Sequence, residues 1–168
     1  HNPDNKATVG VFRNGTFYLA SSNTNGGGTV DKVDYIGANG GDVPLACDWN
    51  GDGITDIGYY RPSEGKFYLY LWYGDYNHQA VTPPFQYGPT NNLTRFPICG
   101  NWDGKAPVAD QSNYDTVGFY DTTNGTFYLR NTNTASTDIT AGATITKFAD
   151  PNTLKLAPVV GRFTASPT

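Results

Sequence analysis

The chain has 168 residues, the size of one compact unit or a short tandem array. Only 15% of its residues are charged, while 20 Gly and 11 Pro accompany 12 Tyr, 9 Phe and 3 Trp, a mix that suits short strands and tight turns and disfavours long helices. A net charge of −4 argues against a phosphate-tracking surface, so no nucleic-acid partner is expected. No apolar run approaches the roughly 20 residues of a spanning helix, so no membrane insertion is expected either.

The sequence starts at His1 and contains no Met, which reads as a processed N-terminus left by removal of a secretory leader. The expected location is therefore extracellular, secreted or at the cell surface. Sequons at Asn14, Asn92 and Asn124 are candidate glycan acceptors. Two of them, at Asn14 and Asn124, are Asn-Gly-Thr between apolar runs, where the competing reading is a two-residue type I′ turn with positive φ. Cys47 and Cys99 are the only cysteines; a disulfide between them is open, because sequence does not establish the required Cα separation.

Internal repetition organises the chain. VGVFRNGTFYLA begins at Val9, IGYYRPSEGKFYLY at Ile57 and VGFYDTTNGTFYLR at Val117. A second block recurs between them as VPLACDW from Val43, FPICGNW from Phe96 and APVVGRF from Ala157. Each unit reads as strand, tight turn, strand, variable segment, Pro-led strand and acidic turn, about four strands in all. The units run approximately over 9–56, 57–116 and 117–163, flanked by terminal half-turns at 1–8 and 161–168.

Within a hairpin, Val9, Val11 and Arg13 alternate with Gly10 and Phe12, so both faces carry large groups, as in strands sandwiched between stacked sheets. Gly10, Gly58 and Gly118 hold one equivalent place, which predicts a close backbone approach or a ring lying over the missing side chain. The Thr- and Ala-rich stretch from Ala135 to Thr146 is expected to be extended because it is β-branched. The opening residues align with the later part of an acidic turn and GRFTASPT, at 161–168, with its beginning. The two ends are thus expected to be complementary, meeting within one copy or between copies.

The turn DWNGDGITD, Asp48 to Asp56, places oxygen donors at loop positions 1, 3, 5 and 9, a glycine at position 6 and a backbone carbonyl at position 7. That is the hard-oxygen pattern calcium prefers. The expected ligands are Asp48, Asn50, Asp52, the Ile54 carbonyl and Asp56; the competing reading is an Asx turn whose carboxylates cap backbone amides. Tyr59 stands where an EF-hand has its glutamate. In the second copy Asn101 and Asp103 persist, Lys105 replaces an acid, and Asp110 and Asp115 follow in an insertion. At the third, Arg162 replaces the first acid. Neither of these is expected to hold metal.

VPLACDWNGDGITDIGYYRPSEGKFYL, from Val43 to Leu69, resembles the FG-GAP/VCBS class of repeats, found in bacterial secreted and surface proteins and, in related form, in integrin heads. The similarity spans nearly the whole chain as three units, with the full acidic motif only in the first turn. The resemblance implies an all-β fold of three tandem four-stranded β-propeller-like blades, and calcium held by Asp48, Asn50, Asp52, Ile54 and Asp56. Three blades are fewer than the roughly four to eight with which propellers close. A threefold β-trefoil-like barrel, a partial propeller completed by a second copy and an open stack continuing from molecule to molecule therefore remain as alternatives. Non-closing head-to-tail contact yields a fibre.

The run KFYLYLWYGDYNH puts Tyr68, Tyr70 and Trp72 on one strand face and Phe67, Leu69, Leu71 and Tyr73 on the other. Packing between sheets is the first reading of these faces; a lectin-like surface is the second, with Tyr73, Tyr76 and His78 as its sugar-contact residues. A free His1 supplies half of a copper histidine brace, but the repeat accounts for the chain without it. No Ser-His-Asp or Cys-His set is persuasive. The expectation is a calcium-stiffened, non-enzymatic structural or adhesive protein that associates with itself, with a carbohydrate-binding module as the alternative.

Overall fold

The computed structural model describes residues 8–20, 22, 32–72, 77–91, 94–104, 114–147 and 158. Every regular element among them is a strand: β1 (Gly10–Arg13), β2 (Thr16–Leu19), β3 (Lys32–Asp34), β4 (Val43–Cys47), β5 (Asp56–Arg61), β6 (Lys66–Trp72), β7 (His78–Ala80), β8 (Phe85–Gln86), β9 (Arg95–Gly100), β10 (Thr116–Asp121), β11 (Thr126–Arg130) and β12 (Ala143–Lys147). They form three antiparallel sheets, in the orders β1-β2-β3, β4-β5-β6-β7 with β8 also on β6, and β12-β11-β10-β9. None closes into a barrel. The all-β expectation holds, but the sheets have three, five and four strands rather than four each. The middle sheet gains β8 because Phe85 stacks on Phe67, ring centroids 5.7 Å apart, and draws its strand onto Lys66 and Phe67.

The three hairpins pair in matching register: Gly10 lies opposite Leu19, Gly58 opposite Leu69 and Gly118 opposite Leu129. A Cβ on Gly58 or Gly118 would sit 2.8 Å from the carbonyl oxygen of Tyr68 or Tyr128, and the Trp49 ring lies against the same spot on Gly58. Both sequence readings of these glycines, close backbone approach and ring cover, are met at Gly58. The turns differ. Asn14 and Gly15 have φ of 51° and 86°, the type I′ geometry expected. Asn124 does not share it, since four residues join β10 to β11 and only Gly125 there has positive φ. One extra pair of residues lets Gly125 N donate to Asp121 O at 2.9 Å, and Asn124 Oδ1 accepts from Thr126 N instead.

Each Pro-led strand flanks its hairpin in one register. Pro44 is opposite Tyr59 and Leu45 opposite Gly58; Pro97 is opposite Phe119 and Ile98 opposite Gly118. In the first sheet, by contrast, β1 is the edge among the described strands.

The sheets stack through opposite faces of the middle one. Ile57 and Tyr59 bury against Phe17, Ile36 and Ala38 of the first sheet and its β3–β4 connection, with Tyr68, Tyr70 and Trp72 packed around them. On the other side Tyr60, Phe67 and Leu69 meet Val117 and Phe119 of the third sheet, over Leu45, Cys47 and Trp49. Tyr60 and Phe119 make an edge-to-face contact at 5.1 Å. Burying each such ring contributes about 1.5–3 kcal/mol. The two Pro-led strands also approach one another, and Cys47 and Cys99 are joined in a disulfide with Cα atoms 6.3 Å apart.

Candidate metal centre

Loop 48–55 leaves β4 and enters β5 by winding around one carboxylate. Asp48 Oδ1 accepts from the amides of Asn50, Gly51 and Asp52 at 3.3, 2.7 and 3.2 Å, and Oδ2 from Gly53 N at 2.8 Å. Gly51 and Gly53 have φ of 77° and 81°, the left-handed conformation that glycine adopts without strain and that aims successive amides inward. Asp52 Oδ1 accepts from Ile54 N at 2.7 Å, and Asn50 Nδ2 donates to Asp52 Oδ2 at 2.9 Å. Asp48 is half-buried and Asp52 exposed.

Asp56, the last expected ligand, is buried on β5. Its Oδ2 accepts from Trp49 N at 3.1 Å and its Oδ1 from Trp72 N at 2.8 Å. Trp49 itself donates Nε1 to Ile57 O at 3.1 Å, which clamps the loop over the hairpin. Burial pushes the Asp56 carboxyl up to about 6, helped by the negative charges of Asp52 and Asp48 and opposed by the two amides.

The five expected donors thus belong to one turn, and in this conformation the amide-capping Asx arrangement dominates it. Among the described residues no three Asp, Glu, His or Cys side chains converge as a metal cluster. The donor chemistry fits a hard divalent ion: three carboxylates, one amide oxygen and one carbonyl, with a buried Asp56 whose ionised form is disfavoured by like charges that a cation would offset.

One participant is not legible in the sequence at this place. Asp115, in the expected second acidic turn, reaches back to the first: its Oδ2 accepts from Asp48 N at 3.0 Å and its N donates to Asp48 O at 2.6 Å. Burial raises its carboxyl, with the Asp48 charge adding to the effect. No local pattern marks a contact across 67 residues. In the rest of the second turn Gly104 N donates to Asn101 Oδ1 at 3.0 Å. Lys105, Asp110 and Arg162 lie outside the described residues.

The remaining candidates are dispersed. His78 opens β7 and pairs its Nδ1 with Asp34 Oδ1 at 3.4 Å across the first two sheets, while its ring meets Tyr70 edge-on at 5.4 Å. The Tyr68, Tyr70 and Trp72 face is occupied by the first sheet, and Lys32 Nζ lies 5.0 Å over the Trp72 ring. Tyr73, Tyr76, Asn92 and His1 lie outside the described residues. Asn14 and Asn124 are exposed at hairpin tips. No protein-family model, curated protein or solved structure matches the chain. What can be stated outright is an all-β protein of three stacked antiparallel sheets with one disulfide.

Proposed function

We propose that this chain is an extracellular, non-enzymatic structural or adhesive protein, a row of FG-GAP/VCBS-like blades that associates head to tail into a fibre or oligomer and is stiffened by calcium in one turn. The observation that carries this reading is an apolar face of the first sheet that the other described strands leave exposed. The Ile57–Tyr59 face of the middle sheet covers itself with the first sheet, and the Val117–Phe119 face of the third with the middle one. The equivalent face of the first sheet, with Val11 64%, Val33 36% and Tyr35 60% exposed, has no such cover among the described residues. A contiguous apolar face of this kind marks an interaction site, and repeated heterologous contact that does not close extends without limit.

Asp48, Asn50, Asp52, the Ile54 carbonyl and Asp56 would hold the ion. Bound calcium supplies positive charge that links the loop's oxygens and offsets their mutual repulsion. Asp48 keeps the loop wound through its four amides, Asp56 ties it to β6 through Trp72 N, and Asp115 anchors it to the third sheet. The disulfide suits an oxidising compartment.

The test is light scattering and electron microscopy of the protein over a concentration series, with calcium and with chelator. Growth of long particles, more persistent with calcium, is expected. Discrete monomers at high concentration in both conditions would overturn the assembly reading, and saturable binding on a glycan array by those monomers would favour the lectin-like alternative.

A further inference from the structure

We infer that Asp34 and His78 hold a divalent transition-metal ion of the zinc class in the seam between the first and middle sheets, a site separate from the acidic turn. Asp34 on β3 is the register partner of Phe17 on β2, so the two side chains share a face. That face is the one the first sheet packs on the middle sheet, and the Asp34 side chain is 3% exposed there. His78 comes from the other wall of the seam, on β7 opposite Trp72. Both carboxylate oxygens of Asp34 and Nδ1 of His78 are buried, and none of the three has a hydrogen-bond partner among the described residues. Protein interiors keep a charged group only where it is paired or binds a metal. A buried carboxylate with both oxygens bare therefore calls for a cation.

Distance selects a metal over a proton on His78 as that cation. Asp34 Oδ1 and His78 Nδ1 are 3.4 Å apart, well beyond the roughly 2.7–2.9 Å of a charge-assisted hydrogen bond, and no hydrogen bond joins them. Two ligands that each lie about 2.1 Å from a tetrahedral ion stand about 3.4 Å from one another. The pair thus has the spacing of atoms that share an ion. An imidazole nitrogen beside a carboxylate suits zinc and its transition-series neighbours, whereas calcium takes about six to eight oxygens; this site and the acidic turn select different ions. Lys32, on the same face of β3 as Asp34, holds its Nζ 5.0 Å over the Trp72 ring. Tyr70 packs edge-on against the His78 ring at 5.4 Å, and the 26% of the His78 side chain that stays exposed gives access to the ion and to the waters that complete its shell. Cys47–Cys99 ties the middle sheet to the third; the ion ties the first sheet to the middle one.

The chain has two histidines, His1 and His78, so in His1→Ala every imidazole signal comes from His78. The test titrates zinc into the full-length His1→Ala protein, disulfide intact and with excess calcium to occupy the acidic turn, followed by isothermal calorimetry and by the imidazole nitrogen resonances. The expected result is one zinc per chain, a displaced Nδ1 resonance and a higher melting temperature. Adding Asp34→Asn, which keeps the shape and removes the charge, is expected to weaken zinc binding about tenfold or more, with circular dichroism confirming the fold. The resonance needs no change at the site and decides the matter even where Asp34→Asn fails to fold. Absence of zinc binding, zinc binding that leaves Nδ1 unmoved, or affinity that Asp34→Asn retains in full would each overturn the site. So would an Nδ1 that takes up a proton as pH falls but never zinc, which assigns the pair to a histidinium–carboxylate contact.

Discussion

Asp48 and Asp115 exchange two hydrogen bonds, the amide of Asp48 donating to the Asp115 carboxylate and the amide of Asp115 donating to the Asp48 carbonyl. The complete acidic turn is thereby fastened to the strand that opens the next hairpin, and what happens at one is felt at the other. Replacing Asp115 by Ala removes one half-buried acceptor from the Asp48 amide, at a cost of about 1–3 kcal/mol. The expected outcome is a lower denaturant midpoint for Asp115→Ala, together with a weaker response to calcium, read by tryptophan fluorescence from Trp49.

Asp56 makes stability depend on pH in an unusual direction. Its carboxyl is raised from 3.8 to about 6 in the fold, so between these values the folded chain binds more protons than the unfolded one. Stability from this group is present in full below about pH 4 and is lost as pH rises through 6, by up to about 3 kcal/mol. In chelator, the contribution of Asp56 is expected to fall over that window and to vanish in Asp56→Asn; calcium is expected to flatten it. A wild-type minus Asp56→Asn difference with no such fall would contradict the burial argument.

Calcium itself is expected to raise the melting temperature. At one hundred times its dissociation constant a ligand that binds only the folded chain adds about 2.7 kcal/mol. Asp52→Ala, which alters an exposed side chain of the turn, is expected to abolish that gain while changing the metal-free melt little. Differential scanning calorimetry with and without calcium reads both.

The Cys47–Cys99 bond closes a loop of 52 residues. Cys47→Ser/Cys99→Ser is expected to lose about 4 kcal/mol by the loop-entropy argument, with the loss read as a lower urea midpoint. A separate test concerns Asp34, whose two carboxylate oxygens are buried with no hydrogen-bond partner among the described residues and whose Oδ1 lies 3.4 Å from His78 Nδ1. His78→Ala is expected to destabilise the contact between the first two sheets by about 1–3 kcal/mol, more than Gln79→Ala on the same strand, whose side chain is exposed.

Local pattern carried a good part of this architecture. The alternation in VGVF, IGYY and VGFY, the shared glycines and the tight Asn14-Gly15 turn all follow from period-two burial and from positive φ, and each appears at its expected place. Asn124 departed from the pattern because an Asn-Gly pair does not announce how many residues precede it in the turn, and Asp121 here takes the closing bond. The acidic turn was legible as a string of oxygens; that Asp56 faces Trp49 and Trp72 was not, since it depends on a hairpin closing above the loop.

The sequence by itself determined the repeat, the strand class and the identity of the turn, because these rest on interactions between residues a few positions apart. Only the tertiary structure decided that Cys47 meets Cys99, that Asp115 serves the first turn, and that the middle sheet is covered on both faces while Val11 is 64% exposed. Those outcomes join positions tens of residues apart, and they are set by which apolar faces find each other when the sheets stack.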